Sequence, residues 1–280
     1  MSDLIQLTVL VENTVHGRDL MAEHGWGVHV RDSAGSFLFD TGQSRLLRHN
    51  AEVLGIDLAS VQAVALSHGH FDHTGGLPAL WEVAPRAPLY LHPVASQAHF
   101  ARNPDGSTRT VGMTAPVLAA LREQSALVNH AEGPLEVRPG FFLTGAIPRE
   151  TDFEDVGGPF VLDETGAQPD RLEDDQALFF DTRDGVVVVL GCGHAGVINT
   201  LRYVRRLTHD RPLHAVLGGM HLLLAGPERL ARTLEALREL GVQRFGPAHC
   251  TGILPAARLW TEFVGRCFSC SVGTTLMFQR

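Results

Sequence analysis

The feature that most constrains this chain is a cluster of four potential metal ligands directly after an apolar run. Residues 61–66 are largely apolar, and they are followed by His68-Gly-His70-Phe-Asp72-His73-Thr-Gly-Gly. Side chains alternate with period two in an extended stretch, so His68 and His70 project to the same side. As the chain turns toward a helix, Asp72 and His73 can offer an oxygen and a nitrogen to a second position beside the first. The segment therefore predicts a metal-binding turn between a strand and a helix.

The donor types narrow the choice of metal. Imidazole and carboxylate suit zinc, iron or manganese, and a site with few protein ligands leaves positions open for water. The chain holds 15 histidines among 280 residues, and histidine is the commonest metal ligand. The alternative interpretation is a glycine-rich turn that carries surface histidines. Four potential ligands at this spacing favour the metal site, and we expect one or two zinc ions, with iron or manganese as alternatives.

Short apolar runs alternate with helical patterns along most of the chain, which indicates mixed α and β structure. The predicted strands cover residues 4–11, 27–30, 37–39, 61–66, 89–92, 141–144, 177–181, 185–190, 215–217 and 271–278. The predicted helices cover residues 43–54, 74–83, 196–207, 227–240 and 255–264. Asp184-Gly185 favours a tight hairpin turn between two of the strands.

Residues 93–175 differ from the rest because long periodic runs are scarce there. We expect an irregular insertion at about 93–175 within a single domain of residues 1–280. Inside it, residues 150–175 hold ten acidic residues and one basic residue, Arg171. Charge runs usually form solvated surface loops. The alternative is a loop over an active site.

Charge and composition disfavour two kinds of partner. The chain has 23 basic and 31 acidic residues, a net charge of −8, and no run of Lys or Arg that would attract nucleic acid or an anionic membrane. A small-molecule partner is the remaining expectation, and a homo-oligomer is compatible with the sequence. No window approaches ~18 uninterrupted apolar residues, so we expect no transmembrane helix.

The first residues and the cysteines indicate the cellular compartment. Asp3 stands where a secretory leader would carry basic residues. The cysteines form no secreted disulfide framework, and a lone Cys267-Phe-Ser-Cys270 pair indicates reduced thiols. We therefore expect a cytoplasmic protein. The four cysteines are Cys192, Cys250, Cys267 and Cys270.

The motif His68-x-His70-x-Asp72-His73, followed by Thr-Gly-Gly and preceded by Phe39-Asp40-Thr-Gly42, resembles the signature of the metallo-β-lactamase superfamily. The resemblance implies an α+β fold, a four-layer αββα sandwich with two metal positions at one edge of its sheets. Four further segments are similar to the branch of 7,8-dihydropterin-6-methyl-4-(β-D-ribofuranosyl)aminobenzene-5′-phosphate synthase-like proteins. These are Leu10-Val-Glu-Asn13, Gly191-Cys-Gly-His194-Ala-Gly196, Gly218-Gly-Met-His221-Leu222 and Ala248-His249-Cys-Thr-Gly252.

The resemblance also implies a role for each motif residue. His68 and His70 match the ligands of the first metal position, and Asp72 and His73 match those of the second. His249 matches the late histidine that completes the second position. Asp40 matches a carboxylate that supports a metal-binding histidine; its alternative interpretation is a turn aspartate before Thr-Gly.

The chain departs from the superfamily pattern after residue 190. Cys192 stands where the family usually has a bridging aspartate, and it is a candidate ligand or a small buried hydrophobe. His194 is a candidate for the remaining imidazole of the first position. His221 follows another apolar run, and a ligand, a substrate-binding or proton-transfer residue, and a packed structural histidine are the open alternatives. Nine other histidines lack ligand-type neighbours, so we expect them to be structural or exposed: His16, His24, His29, His49, His92, His99, His130, His209 and His214.

These resemblances imply a metal-dependent hydrolase or phosphate-handling enzyme. A bound metal lowers the pKa of water from about 15.7 toward ~7, and the resulting hydroxide attacks a phosphoryl or carbonyl centre. The branch implies a pterin phosphate or a cyclic phosphate as substrate. Asp72, as a ligand, and His221 are the candidate catalytic residues. The alternatives are an acyl hydrolase such as a lactonase, thioesterase or β-lactamase, and a non-catalytic metal-binding sensor on the same scaffold.

Overall fold

Two large sheets lie face to face in the computed structural model, which describes residues 4–280. Asp3, which stands where a leader would carry basic residues, lies outside the described residues. The strands are β1 Leu4–Val11, β2 Gly27–Asp32, β3 Gly35–Phe39, β4 Val61–Ala65, β5 Leu89–Leu91, β6 Phe100–Arg102, β7 Thr108–Thr110, β8 Val128–His130, β9 Leu135–Arg138, β10 Phe141–Leu143, β11 Phe160–Val161, β12 Leu178–Thr182, β13 Gly185–Leu190, β14 Leu213–Gly219, β15 Arg244–Ala248 and β16 Thr275–Gln279. The helices are α1 Leu46–Val53, α2 Phe71–Thr74, α3 Leu77–Trp81, α4 Ala115–Glu123, α5 Val197–Leu207, α6 Pro227–Glu239 and α7 Ile253–Glu262.

The seven-stranded sheet has the order β16-β1-β2-β3-β4-β5-β8, and the six-stranded sheet has the order β15-β14-β13-β12-β10-β9. A small third sheet joins β11, β6 and β7. Apolar side chains from both large sheets form one core between them, in which the rings of Phe37 and Phe141 lie 5.0 Å apart. Burial of this apolar surface is the main force that holds the two sheets together.

Strand periodicity divides the remaining apolar residues between two outer cores. Along β13, Val187 and Val189 face the inter-sheet core, whereas Val186 and Val188 face a core shared with α5, α6 and α7. The seven-stranded sheet packs its other face against α1, α3 and α4. Two sheets covered by helices on both sides are the predicted αββα sandwich.

Most predicted elements occur, with shifts at their ends. The predicted helix 74–83 is instead two short helices, α2 and α3, separated by Gly75 and Gly76. A Cβ on Gly75 would lie 2.1 Å from the carbonyl oxygen of Gln43, so the chain approaches too closely there for a side chain. The predicted strand 271–278 begins only at Thr275, because residues 271–274 form a turn. Strand β15 was not predicted.

The expectation of an irregular segment at 93–175 was wrong in part. Helix α4 lies in it, β8 joins the seven-stranded sheet, and β9 and β10 join the six-stranded sheet. Strand β10 matches the predicted strand 141–144, whereas β8 and β9, with three and four residues, are too short for a periodic pattern to be recognised. Among the helices of residues 4–280, none combines the length and apolar character that crossing a bilayer requires.

Candidate metal centre

Five loops meet where parallel strands of the two sheets end. β3 and β4 are parallel, as are β13, β14 and β15. The candidate residues follow the carboxyl ends of these strands in order: Asp40 after β3, His68–His73 after β4, Cys192 and His194 after β13, His221 after β14, and His249 after β15. Residues far apart in the sequence therefore share one edge of the sandwich.

Three of these residues have a left-handed backbone, which is uncommon for residues other than glycine. The φ angles are 59° at Asp40, 43° at His221 and 48° at His249. Strained conformations of this kind persist only where surrounding contacts fix them, and they concentrate at functional sites.

The first group of potential ligands consists of His68, Cys192 and His194, all buried, with donor atoms within 4.8 Å of one another. The ring of His70 lies beside them, 4.6 Å from the ring of His68 and 4.9 Å from that of His194. His194 therefore lies beside His68 and His70, as expected of a third imidazole for the first metal position.

The second group consists of His73, Cys192 and His249. The Nε2 atom of His73 lies 3.2 Å from Sγ of Cys192 and 3.3 Å from Nε2 of His249. Oδ2 of Asp72 lies 3.3 Å from Nε2 of His249 and 3.8 Å from Nε2 of His73. Cys192 thus belongs to both groups and lies between them.

Four of the histidines have their Nδ1 atom fixed by an oxygen. The pairs are His68 with Oγ of Ser67 at 2.8 Å, His73 with Oδ2 of Asp40 at 2.7 Å, His194 with the carbonyl of Val156 at 2.8 Å and His249 with Oδ1 of Asn13 at 2.9 Å. A ring that donates from Nδ1 keeps a lone pair on Nε2.

The free nitrogens are buried and lack partners. Among the residues that the structure describes, Nε2 of His68, His70 and His194 has no hydrogen-bond partner, and neither has Nδ1 of His221. Buried polar atoms are nearly always paired, so unpaired ones call for an explanation. A cation bound between them would satisfy these atoms, and imidazole, thiolate and carboxylate donors suit zinc. The residues therefore fit a metal ion.

Burial also sets the protonation of the first group. It lowers the pKa of His68 and His194 well below the ordinary value, and it lowers the pKa of His70 to about 3. These rings are neutral at pH 7, which is the form that binds metal. Burial raises the pKa of the Cys192 thiol, and a bound cation is what would favour its thiolate.

The second group has a different charge balance. Burial lowers the pKa of His73, but the carboxylates of Asp40 and Asp72 outweigh this effect and raise it to about 9. Burial disfavours the ionised form of Asp72, yet His73 and the hydrogen-bonded His24 and His249 hold its pKa well below the usual range. Asp40 also accepts hydrogen bonds from the amide and the hydroxyl of Ser67, both at 2.7 Å.

His221 lies over the first group, with its ring 4.2 Å from the ring of His194. Burial lowers the pKa of His221 to about 4. One nitrogen of His221 also lies within 4.8 Å of the sulfurs of Cys192 and Cys250.

The acidic segment 150–175 contacts this cluster. The carbonyl of Val156 accepts a hydrogen bond from His194, and a Cβ on Gly157 would lie 2.0 Å from Nδ1 of His221. The ring of Phe160 lies 5.0 Å from the ring of His70 and 5.2 Å from that of His194. Of the two interpretations above, the structure therefore agrees with a loop over the site.

Two further histidines lie against the cluster, although their sequence neighbours gave no sign of it. Nε2 of His24, on an exposed loop, lies 3.1 Å from Oδ2 of Asp72. His99 is buried beside His70 and contacts Oδ2 of Asp170 at 2.6 Å. Both reach the site through tertiary contacts between distant segments, for which a single sequence carries no signal.

Comparison with known proteins agrees with this geometry. The chain is 30% identical over 236 residues to a 7,8-dihydropterin-6-methyl-4-(beta-D-ribofuranosyl)-aminobenzene-5'-phosphate synthase of Methanocaldococcus jannaschii, covering 81% of this chain and 79% of that protein. The crystal structure of Tm1679, a metal-dependent hydrolase of the beta-lactamase superfamily, is similar with a TM-score of 0.81 and 29% identity, covering 97% of this chain and 98% of that one.

A diphosphatase from the PhnP family shares the fold with a TM-score of 0.57 at 15% identity, over 100% of this chain and 99% of that one. The family model described as the metallo-beta-lactamase superfamily matches residues 25–207, which is more than half of the chain. This chain therefore belongs to the metallo-β-lactamase superfamily.

Proposed function

We propose that this protein is a metal-dependent hydrolase that acts on a small phosphorylated substrate. The observation that carries the proposal is that the Nε2 atoms of His68, His70 and His194 are buried and have no partner among the described residues. A bound cation would supply the partner that these nitrogen atoms lack. Four rings of the cluster are fixed through Nδ1, so the site is preorganised to bind through Nε2.

The candidate ligands form two positions. His68, His70 and His194 would hold one ion, and Asp72, His73 and His249 would hold a second, with Cys192 belonging to both ligand groups. Zinc fits this donor set, and iron or manganese are the alternatives. When bound, such an ion supplies Lewis acidity and lowers the pKa of water toward about 7.

The protein's own residues orient the site and its substrate. Asp40 fixes the ring of His73, and Asn13 fixes the ring of His249. His221 presents an unpaired Nδ1 beside the first position, where it binds the substrate or transfers a proton. Phe160 packs over His70 and His194 and excludes water from that side.

The substrate class rests on the name of the Methanocaldococcus jannaschii relative, a synthase named for a compound in which a dihydropterin is joined through an aminobenzene group to a ribofuranosyl 5′-phosphate. A phosphate ester on a ring-bearing small molecule, such as a pterin phosphate or a cyclic phosphate, is accordingly the proposed substrate. An acyl substrate such as a lactone is the competing class, because one fold serves both chemistries.

The test measures metal content together with turnover. Wild type, His68→Ala and the control His130→Ala, which alters an exposed histidine of β8, are assayed with a chromogenic phosphodiester and with a lactone. We expect one or two ions per wild-type chain, and in His68→Ala alone we expect loss of the ion of the first position together with loss of phosphodiester turnover. Turnover that survives in His68→Ala, or a wild-type chain that binds no transition metal, would contradict the proposal, and lactone turnover alone would reassign the substrate class.

A second variant separates binding of the ion from chemistry. His221→Ala is expected to keep the metal content of wild type while kcat falls by about 100-fold or more, the usual contribution of a proton-transferring side chain. If His221→Ala instead loses an ion, His221 is a ligand, and the proposed role in substrate binding or proton transfer is wrong.

A further inference from the structure

Two acidic residues at the end of segment 150–175 are buried, unlike the solvated charges that its composition predicted. Asp174 is 0% exposed and Asp175 is 2% exposed. Within residues 4–280 neither forms a salt bridge, and one carboxylate oxygen of each, Oδ1, has no hydrogen-bond partner there. Burying a carboxylate is costly, so its remaining contacts indicate what it does.

Each of these carboxylates binds the backbone of a loop that carries candidate ligands. The amide of Gly69, which lies between His68 and His70, donates to Oδ2 of Asp174 at 2.7 Å. The amide of Ala195, which follows His194, donates to Oδ2 of Asp175 at 2.7 Å. Two consecutive residues thus connect the loops on which His68, His70 and His194 lie.

The position of Gly69 is further limited by its surroundings. A Cβ on Gly69 would lie 1.9 Å from the carbonyl oxygen of Ala95, so the peptide is held between Ala95 on one side and Asp174 on the other. A shift of this peptide moves both His68 and His70, because they flank it.

The turn before the two acids is itself fixed. Leu172 has a left-handed φ of 49°, which a bulky residue adopts only when its neighbours impose it. Its amide donates to Oδ1 of Asp170 at 2.7 Å, and its carbonyl accepts from Nη2 of Arg149 at 3.1 Å. Nη1 of Arg149 donates to the carbonyl of His194 at 2.7 Å, which links the turn to the same ligand loop.

We propose that Asp174 and Asp175 are positioning residues that hold His68, His70 and His194 in the arrangement required by the first metal position. The inference rests on the proposed function, since it assumes that these histidines bind an ion. The carboxylates do not touch the ion; they act through the peptides of Gly69 and Ala195.

The test uses Zn²⁺ affinity, measured by competition with a chelator, and the absorption spectrum of Co²⁺ in the same chain. Asp174→Ala and Asp175→Ala should each weaken binding of one ion by about 10- to 100-fold, the usual effect of removing a group that orients a ligand. Asp174→Asn and Asp175→Asn keep an oxygen that accepts from the same amide, so they should restore most of the affinity and the wild-type Co²⁺ spectrum.

The matched control is Glu164→Ala, which removes an exposed acid of the same segment and should leave both readouts unchanged. Alanine variants that are folded and bind Zn²⁺ as wild type does would overturn the inference. If wild type itself binds no ion, the proposed function fails instead, so the two failures are distinguishable.

Hydrogen exchange on the unmodified chain covers the case in which an alanine variant does not fold. The amides of Gly69 and Ala195 should exchange slowly in the metal-free protein, because their acceptors belong to the protein and not to the ion. Exchange of these amides at the rate of an unstructured peptide would overturn the inference without any substitution.

Discussion

The Nδ1 atom of His73 lies 2.7 Å from Oδ2 of Asp40, and both side chains are wholly buried. This contact connects the end of β3 to the helical turn that follows β4. It fixes the ring so that Nε2 of His73 points to Cys192 and His249.

Asp40→Asn is therefore expected to weaken binding of the second ion. In asparagine an NH2 group, which is a donor, replaces one carboxylate oxygen. Both oxygens of Asp40 accept hydrogen bonds, from Ser67 and from His73, so the NH2 group would meet a donor and lose a bond. We expect a loss of about 10- to 100-fold in affinity for one ion, measured by chelator competition. Asp184→Asn, in the exposed hairpin turn, is the control, and equal affinities in the two variants would argue against a role for Asp40.

Cys192→Ser should affect both ions, because Cys192 belongs to both ligand groups. A serine hydroxyl is a poorer ligand for zinc than a thiolate. We expect weaker binding of both equivalents of Co²⁺ and loss of the sulfur-to-cobalt charge-transfer band in the near ultraviolet. Cys267→Ser, at a half-buried position outside the ligand groups, should leave the band intact; a band that persists in Cys192→Ser would exclude this sulfur as a ligand.

Removal of the metal should lower thermal stability. An ion that binds only the folded chain contributes about 4 kcal/mol at 1,000 times its Kd, which corresponds to a decrease in Tm of roughly 10 °C when a chelator removes it. The measurement is calorimetry with and without a chelator. His68→Ala provides the comparison, since its Tm should respond less to the chelator than that of wild type.

Gly157→Ala tests the contact between the acidic segment and His221. The new Cβ would lie 2.0 Å from Nδ1 of His221, so the ring or the segment must move. We expect kcat to fall by about 100-fold if His221 takes part in proton transfer, while metal content stays that of wild type. Gly106→Ala is the matched control, because Gly106 also has a left-handed φ, 86°, but has nothing within 4 Å of a new Cβ.

Acid should destabilise the fold through His29, a buried residue of β2. Burial, followed by the charge of Arg31, lowers the pKa of His29 to about 4. The unfolded chain binds this proton more readily, so the stability contribution is complete above pH ~6.5 and is lost as the pH falls toward about 4. Between pH 7 and pH 5 the loss is about 2 kcal/mol.

Urea unfolding of the metal-free protein at these two pH values measures the effect. His29→Gln should remove about 2 kcal/mol of the pH dependence, whereas His130→Gln, at an exposed position, should leave it unchanged. An identical pH dependence in wild type and His29→Gln would show that the proton of His29 is not responsible.

How much of this site the sequence reveals depends on how local each contact is. His68, His70, Asp72 and His73 lie within six residues after an apolar strand, so periodicity alone places them on one turn. The burial of Asp174 could not be predicted from the sequence. An acidic run has the same composition whether its carboxylates accept hydrogen bonds from water or from a buried peptide amide such as that of Gly69. The same limit hides the contact of His24 with Asp72, which joins an irregular loop to the short helix α2.

The pairing of β1 with β16 has a consequence for how the protein folds. Leu4 lies opposite Gln279, and the amide of His249 donates to Oε1 of Glu12 at 2.7 Å. Contacts between residues so distant in sequence form slowly, because a long loop must close before they contribute any stability. During synthesis the second metal position stays incomplete until His249 has left the ribosome, so we expect the nascent chain to gain its full capacity for metal only after His249 has reached Glu12.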